Sequence, residues 1–152
     1  MRRWNRWARN DDGSAALEFI TVGVILLVPL VYLVLALGVI QEQTLGAEAA
    51  ARHTARVISL APDAETAAVR SDAVLAGVIE EYGLDVDAVQ VSISCTPVGV
   101  AACPSAGATM IVTVTTSARL PLVPPLFGLD RIASIPLEAS AVQKVSRLWG
   151  EG

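Results

Sequence analysis

The chain has 152 residues, 53% of them hydrophobic, with a mean hydropathy of +0.55 and a formal charge of −4, enough for one small domain and an apolar segment. That size excludes a large multidomain enzyme, and the acidic pI near 4.9 argues against a nucleic-acid partner. The hydrophobic excess is concentrated in one stretch of the sequence.

A short basic leader, residues 1–13, opens the chain and carries Arg2, Arg3, Arg6 and Arg9. Residues 19–40 then read FITVGVILLVPLVYLVLALGVI, 22 residues without a charge. A helix needs about 20 to cross the hydrocarbon of a bilayer. A cleaved secretory signal has a shorter apolar region of about 7–15 residues, although Ala36, Leu37 and Gly38 weakly resemble its cleavage site. The run is therefore expected to be a single transmembrane helix in the inner (cytoplasmic) membrane. Basic residues near a membrane stay on the cytoplasmic side, and the next one after the run is Arg52. The N-terminus is accordingly expected in the cytoplasm and the rest of the chain outside it.

The helical pattern continues past the apolar run through QEQTLGAEAAARHTARVISL, rich in Ala, Gln, Glu and Arg. A helix over residues 14–60 would extend about 70 Å, well beyond the bilayer. Pro29 and Gly46 are its weak points. A second helix is expected after Pro62, with Asp63 as its cap, Glu65 in its first turn and Gly83 at its end. Val69, Val74, Ala76, Val78 and Ile79 outline an apolar stripe; Arg70, Asp72, Glu80 and Glu81 outline a polar face.

Beyond Asp87 the period changes to two. VQVSIS at residues 89–94 and MIVTVTTSAR at residues 110–119 alternate as half-buried strands do, and IPLEASAVQKV at residues 135–145 is a third candidate. Between the first two strands lie Cys95 and Cys103, the only cysteines, separated by a segment in which Pro97 and Gly99 favour a turn. Outside the cytoplasm a disulfide would persist, closing a short loop worth about 2–3 kcal/mol; two buried free thiols are the alternative reading. Between the second and third strands, residues 120–130 read LPLVPPLFGLD. Pro121, Pro124 and Pro125 disfavour a regular strand, so the apolar residues around them are packed under the domain, laid on a membrane surface or offered to a partner.

The expected fold is thus α+β. It comprises a leader at 1–13, a transmembrane and continuing helix at 14–60 with its span near 19–40, and an extracytoplasmic head at 61–152. The head combines a second amphipathic helix with a small antiparallel sheet of about three strands.

Residues 11–19, DDGSAALEF, precede and enter the apolar run. Glu18 has two readings. Near the interface it can remain wet and favour the positive end of the helix dipole. If instead the chain is cut after Gly13, Ser14 gains a free α-amino group and Glu18 becomes the fifth residue of a mature apolar helix, where it can pair with an amine on a neighbouring subunit.

Gly13, Ser14 and Glu18 resemble the processing motif of type IV pilin-like proteins: a leader ending in Gly, a prepilin-peptidase cut and Glu at mature position five. The short basic leader, the GSAALEF run, the Ala-rich continuation with Arg52 and Arg56, and the strand-rich C-terminal part are similar to TadE-like pseudopilins. Many type IV pilins carry Phe or Met where Ser14 stands. The resemblance implies a non-enzymatic component of tight-adherence (Flp-type) pilus assembly. Its implied partners are a prepilin peptidase, other pilin-like subunits and an inner-membrane assembly platform with its ATPase.

The mature chain, starting at Ser14, would keep seven basic and thirteen acidic residues, a formal charge of −6. Membrane lipid is the other expected contact. Neither a cofactor, a metal nor a small-molecule substrate is expected: His53 is the sole histidine, and no Gly-rich phosphate loop or HExxH motif occurs. The alternative reading is an unprocessed, membrane-anchored extracytoplasmic binding or scaffold domain.

Overall fold

The computed structural model describes residues 12–96, 102–123 and 133–150, with the side chains of residues 12–16 outside that description. The leader arginines, the turn residues Pro97 and Gly99, and the proline-rich residues 124–130 also lie outside it. The elements run α1 (Asp12–Ser59), α2 (Ala64–Tyr82), β1 (Gln90–Thr96), β2 (Thr109–Arg119) and β3 (Ser134–Lys144). This is the expected α+β order of a long apolar helix, a second helix and a three-stranded antiparallel sheet.

By its contacts the chain forms two compact units, Met1–Leu37 and Gly38–Gly152. In the first, most side chains of α1 are apolar and exposed on all sides, among them Leu17 (68%), Phe19 (81%) and Val34 (63%), while Glu18 and Thr21 are polar, Tyr32 is half-buried and Ala36 is buried. A helix apolar on every side is satisfied only where its surroundings are apolar too. α1 continues through Pro29, and the Thr21 hydroxyl donates to the Leu17 carbonyl at 2.7 Å, so this polar side chain is satisfied within the helix.

The second unit takes in the rest of α1, whose alanines form a principal wall of its core. Ala47, Ala50, Ala51, Ala55 and Ile58 are buried together with Ala67 and Val78 of α2 and Met110, Val112 and Val114 of β2. Alanine brings little apolar area per residue but lets elements pack closely. Gly46 marks the tightest approach: a Cβ added there would fall 2.8 Å from the Tyr82 Cβ and 3.0 Å from Leu84 Cδ2. Thus Gly46, expected as a weak point, is where α1 meets the end of α2.

Both ends of α2 form as their residues dictate. Asp63 accepts a 2.7 Å hydrogen bond from the Thr66 amide, and its other carboxylate oxygen accepts from the Thr66 hydroxyl at 3.1 Å. At the other end Gly83 adopts a left-handed conformation (φ 58°), and the Leu84 amide returns to the Ile79 carbonyl at 3.0 Å. The buried face differs from the expected stripe. Ala67 and Val78 are buried and Leu75, Ile79 and Tyr82 pack partly against the core, whereas Val69 is 66% exposed and Ala76 is exposed.

The sheet order is β1-β2-β3, both pairs antiparallel. Central β2 buries alternate residues, Met110, Val112, Val114, Thr116 and Ala118. Opposite residues in an antiparallel pair share a face, so Val91 and Ile93, facing Val114 and Val112, belong to the core side. They stay 36% and 41% exposed, because β1 is an edge strand incompletely covered. The other face carries Ser92, Ser94, Thr113, Thr115 and Ser140, with Ile111 and Val142 among them.

A disulfide joins Cys95 and Cys103 across the β1–β2 connection, with their Cα atoms 5.7 Å apart. The β2–β3 connection is closed at its base by the Leu120 amide donating to the Ala133 carbonyl at 3.2 Å. Near the C-terminus the Gly150 amide donates to the Pro62 carbonyl at 2.9 Å, tying the tail to the α1–α2 junction.

Candidate functional site

The residues singled out in the sequence fall into two places. Gly13 and Ser14 lie in the helical backbone of the first turn of α1, where the leading amides have no intrahelical partner. Opening the backbone there disrupts few hydrogen bonds. Glu18 follows one turn later, exposed beside Leu17 and Phe19, and among the described residues no cation pairs with it. The other place is the disulfide, about which the sheet supplies a rigid neighbour: Cys95 stands opposite Met110, which is fully buried.

The apolar segment of α1 is long and apolar enough to cross a membrane, with a mean hydropathy of 2.8 over its most apolar window and only 6% of that window buried. Length, composition and exposure together fit membrane anchoring.

A second constellation was not foreseen from the sequence. The Gln43 amide group donates to the carbonyls of Tyr82 (3.3 Å) and Gly83 (3.1 Å), taking up carbonyls at the end of α2 that have no helical partner. Asp85 follows, and its carboxylate pairs with the Arg119 guanidinium at the end of β2. The same carboxylate accepts from the Asp87 amide at 3.2 Å, an Asx-type turn that fixes residues 85–88. Gln43, Gly83, Asp85, Ser117 and Arg119 line one open recess. No single residue there stands out in the sequence, because the pairings join positions 34 to 40 apart.

The remaining ionic chemistry is that of a solvated surface. Arg52 pairs with Glu48 at 2.6 Å along the exposed side of α1, an i,i+4 contact worth about 0.3–0.5 kcal/mol. His53 is exposed beside it. Asp63 has its carboxyl held below the ordinary carboxylate range, first by the Thr66 amide and then by the Thr66 hydroxyl. Among the described residues no three His, Cys, Asp or Glu side chains gather closely enough to hold a metal ion. Comparison with protein-family models, curated proteins and solved structures returned no match.

Proposed function

We propose that this protein is a non-enzymatic, pilin-like subunit of a tight-adherence (Flp-type) pilus assembly system, matured by prepilin-peptidase cleavage after Gly13 and assembled through its N-terminal helix. The observation that carries the reading is the position of Glu18. It stands exposed at the start of an apolar helix, the fifth residue of a chain beginning at Ser14. A carboxylate entering hydrocarbon unpaired is costly, about 2.5–3.5 kcal/mol at the bilayer centre and less near its edge. The new amine of Ser14 on a neighbouring subunit supplies a partner, so Glu18 selects the register in which helices pack.

The same reading sets the topology. The leader arginines hold the N-terminus in the cytoplasm, where the peptidase acts, and the unit containing the sheet lies outside, where the Cys95–Cys103 bond persists. Gly13, lacking a Cβ, gives the peptidase unhindered access to the scissile bond. Other pilin-like subunits and the inner-membrane platform are the partners.

The test is the intact mass and N-terminal sequence of the protein recovered from its native membrane, beside a Gly13→Ala variant. A native chain beginning at Ser14, with the variant still beginning at Met1, is the expected result. A native chain beginning at Met1 where prepilin peptidase is active overturns the reading and leaves an unprocessed anchored binding or scaffold domain.

A further inference from the structure

Unit Gly38–Gly152 has an end at which its chain enters from the apolar segment, and the elements gathered there can be read from their bonds. Gln43 lies three residues past Ile40, about 4.5 Å along a helix, and it is bonded to the carbonyls of Tyr82 and Gly83. The Asp85–Arg119 ion pair brings the end of β2 to the same place, and the two pairings share one recess. Besides Leu45 of α1, 59% exposed, two aliphatic side chains outside the helix are exposed on this end. Val86, held out by the Asx turn at Asp85, is 67% exposed, and Leu122, just past Arg119, is 80% exposed. Leu122 adopts φ 64°, a left-handed conformation that disfavours any side chain with a Cβ. A solvated loop gains nothing from placing leucine in that conformation with its side chain turned outward.

We propose that this end of the unit is a lipid-contact surface, with Val86 and Leu122 seated at the headgroup–acyl boundary of the leaflet from which α1 emerges. The proposal rests on α1 being a membrane anchor. The tether then fixes the occupant: a surface whose own helix is still apolar one turn earlier meets lipid before it meets any soluble partner. Arg119 has a chemistry suited to that depth, because an aliphatic stem can lie against acyl chains while the guanidinium stays paired with Asp85 on the polar side. Because Asp85 already neutralises Arg119 and Asp87 lies close by in the chain, attraction to anionic lipid is not the driving force. Apolar burial is, so a neutral bilayer suffices.

The experiment uses the full chain reconstituted in vesicles of phosphatidylcholine, with a nitroxide spin label on Leu122→Cys or, as an independent position, Val86→Cys. Val142→Cys, exposed on the opposite sheet face and paired with Ile111 near the start of β2, is the aqueous reference. Val31→Cys, inside the apolar segment, is the reference for lipid. The expected result is a ratio of oxygen to nickel-chelate accessibility several-fold higher at Leu122 and Val86 than at Val142. Equal ratios at all three overturn the proposal, as does shielding of Leu122 and Val86 from both reagents, which signals a protein contact instead. An aqueous ratio at Val31 overturns the anchor itself, distinguishing that failure from a failure of the lipid contact alone.

Discussion

Gly46 and Tyr82 approach so closely that a methyl group on Gly46 would stand 2.8 Å from the Tyr82 Cβ. The crowding atom is bonded directly to the backbone of α2, so it cannot swing aside as the end of a side chain would. Gly46→Ala is therefore expected to destabilise the protein although alanine is the better helix former. Overpacking costs about 1–3 kcal/mol, against a helix gain of about 1 kcal/mol, and the fixed neighbour favours the upper part of that cost. Gly77→Ala is the control, because nothing lies within 4 Å of an added Cβ inside α2. It should stabilise by about 0.5–1 kcal/mol. Chemical denaturation in detergent, followed by circular dichroism, reads both, and equal signs for the two variants would refute the steric account.

The Cys95–Cys103 bridge closes a loop of eight residues' separation at the edge of a small, alanine-rich core. Such a core buries limited apolar area per residue, so covalent restriction of the unfolded chain matters more than in a large domain. The Cys95→Ser, Cys103→Ser double variant is expected to lose about 2–3 kcal/mol. Titrating native protein with and without a reductant gives the same comparison without mutation. A midpoint unmoved by either change would show that the loop is already ordered by the β1–β2 pairing.

Asp63 gives a pH dependence of defined sign. Hydrogen bonds from the Thr66 amide and then its hydroxyl hold its folded-state pKa below the ordinary carboxylate value. Its carboxylate therefore contributes stability in full above the unfolded-state pKa, and that contribution is lost as pH falls through the lowered folded-state value. Asp63→Asn keeps a capping oxygen but removes the titration. Wild type and variant should differ most near neutral pH and converge in acid, as followed by thermal melts across that range. A gap that stays constant down to the most acidic point would show that the charge on Asp63 contributes nothing beyond the hydrogen bond.

The parts of this fold that were legible in the sequence are those set by local chemistry. Asp63 and Gly83 bracket α2 because a capping carboxylate and a left-handed glycine act over a few residues, and the alternation in β2 survives because its position at the centre of the sheet buries one face throughout. The face of α2 was less legible. Val69 looked like part of the stripe by hydropathy, yet it is exposed, while small Ala67 is buried beside the alanines of α1. Alanine carries almost no signal of depth, so a helix wall built from Ala47, Ala50, Ala51 and Ala55 reads as mere helix propensity. At the candidate site, the residues from Gly13 to Glu18 are contiguous, so the proposal made for them needs no folded structure to state. The Gln43 contacts with α2 and the Asp85–Arg119 pair join distant positions and could not be read from the sequence.

Thr116 offers the last prediction, from an opposite kind of mismatch. It occupies a core-facing position of β2, between Val114 and Ala118 in the alternation, and is only 5% exposed. Its hydroxyl oxygen is buried and has no hydrogen-bond partner among the described residues. Desolvating a hydroxyl without a partner costs about 1–3 kcal/mol, whereas a methyl group in the same place would be at home among Val112, Val114 and Ala118. Valine has nearly the shape of threonine and the same branching at Cβ, so the strand backbone has no reason to respond. Thr116→Val is thus expected to raise stability by about 1–3 kcal/mol, measured as a shift in denaturant midpoint with an unchanged slope. A decrease would mean that the hydroxyl has a partner in solution, and a crystal structure of the variant would then locate the group that lost it.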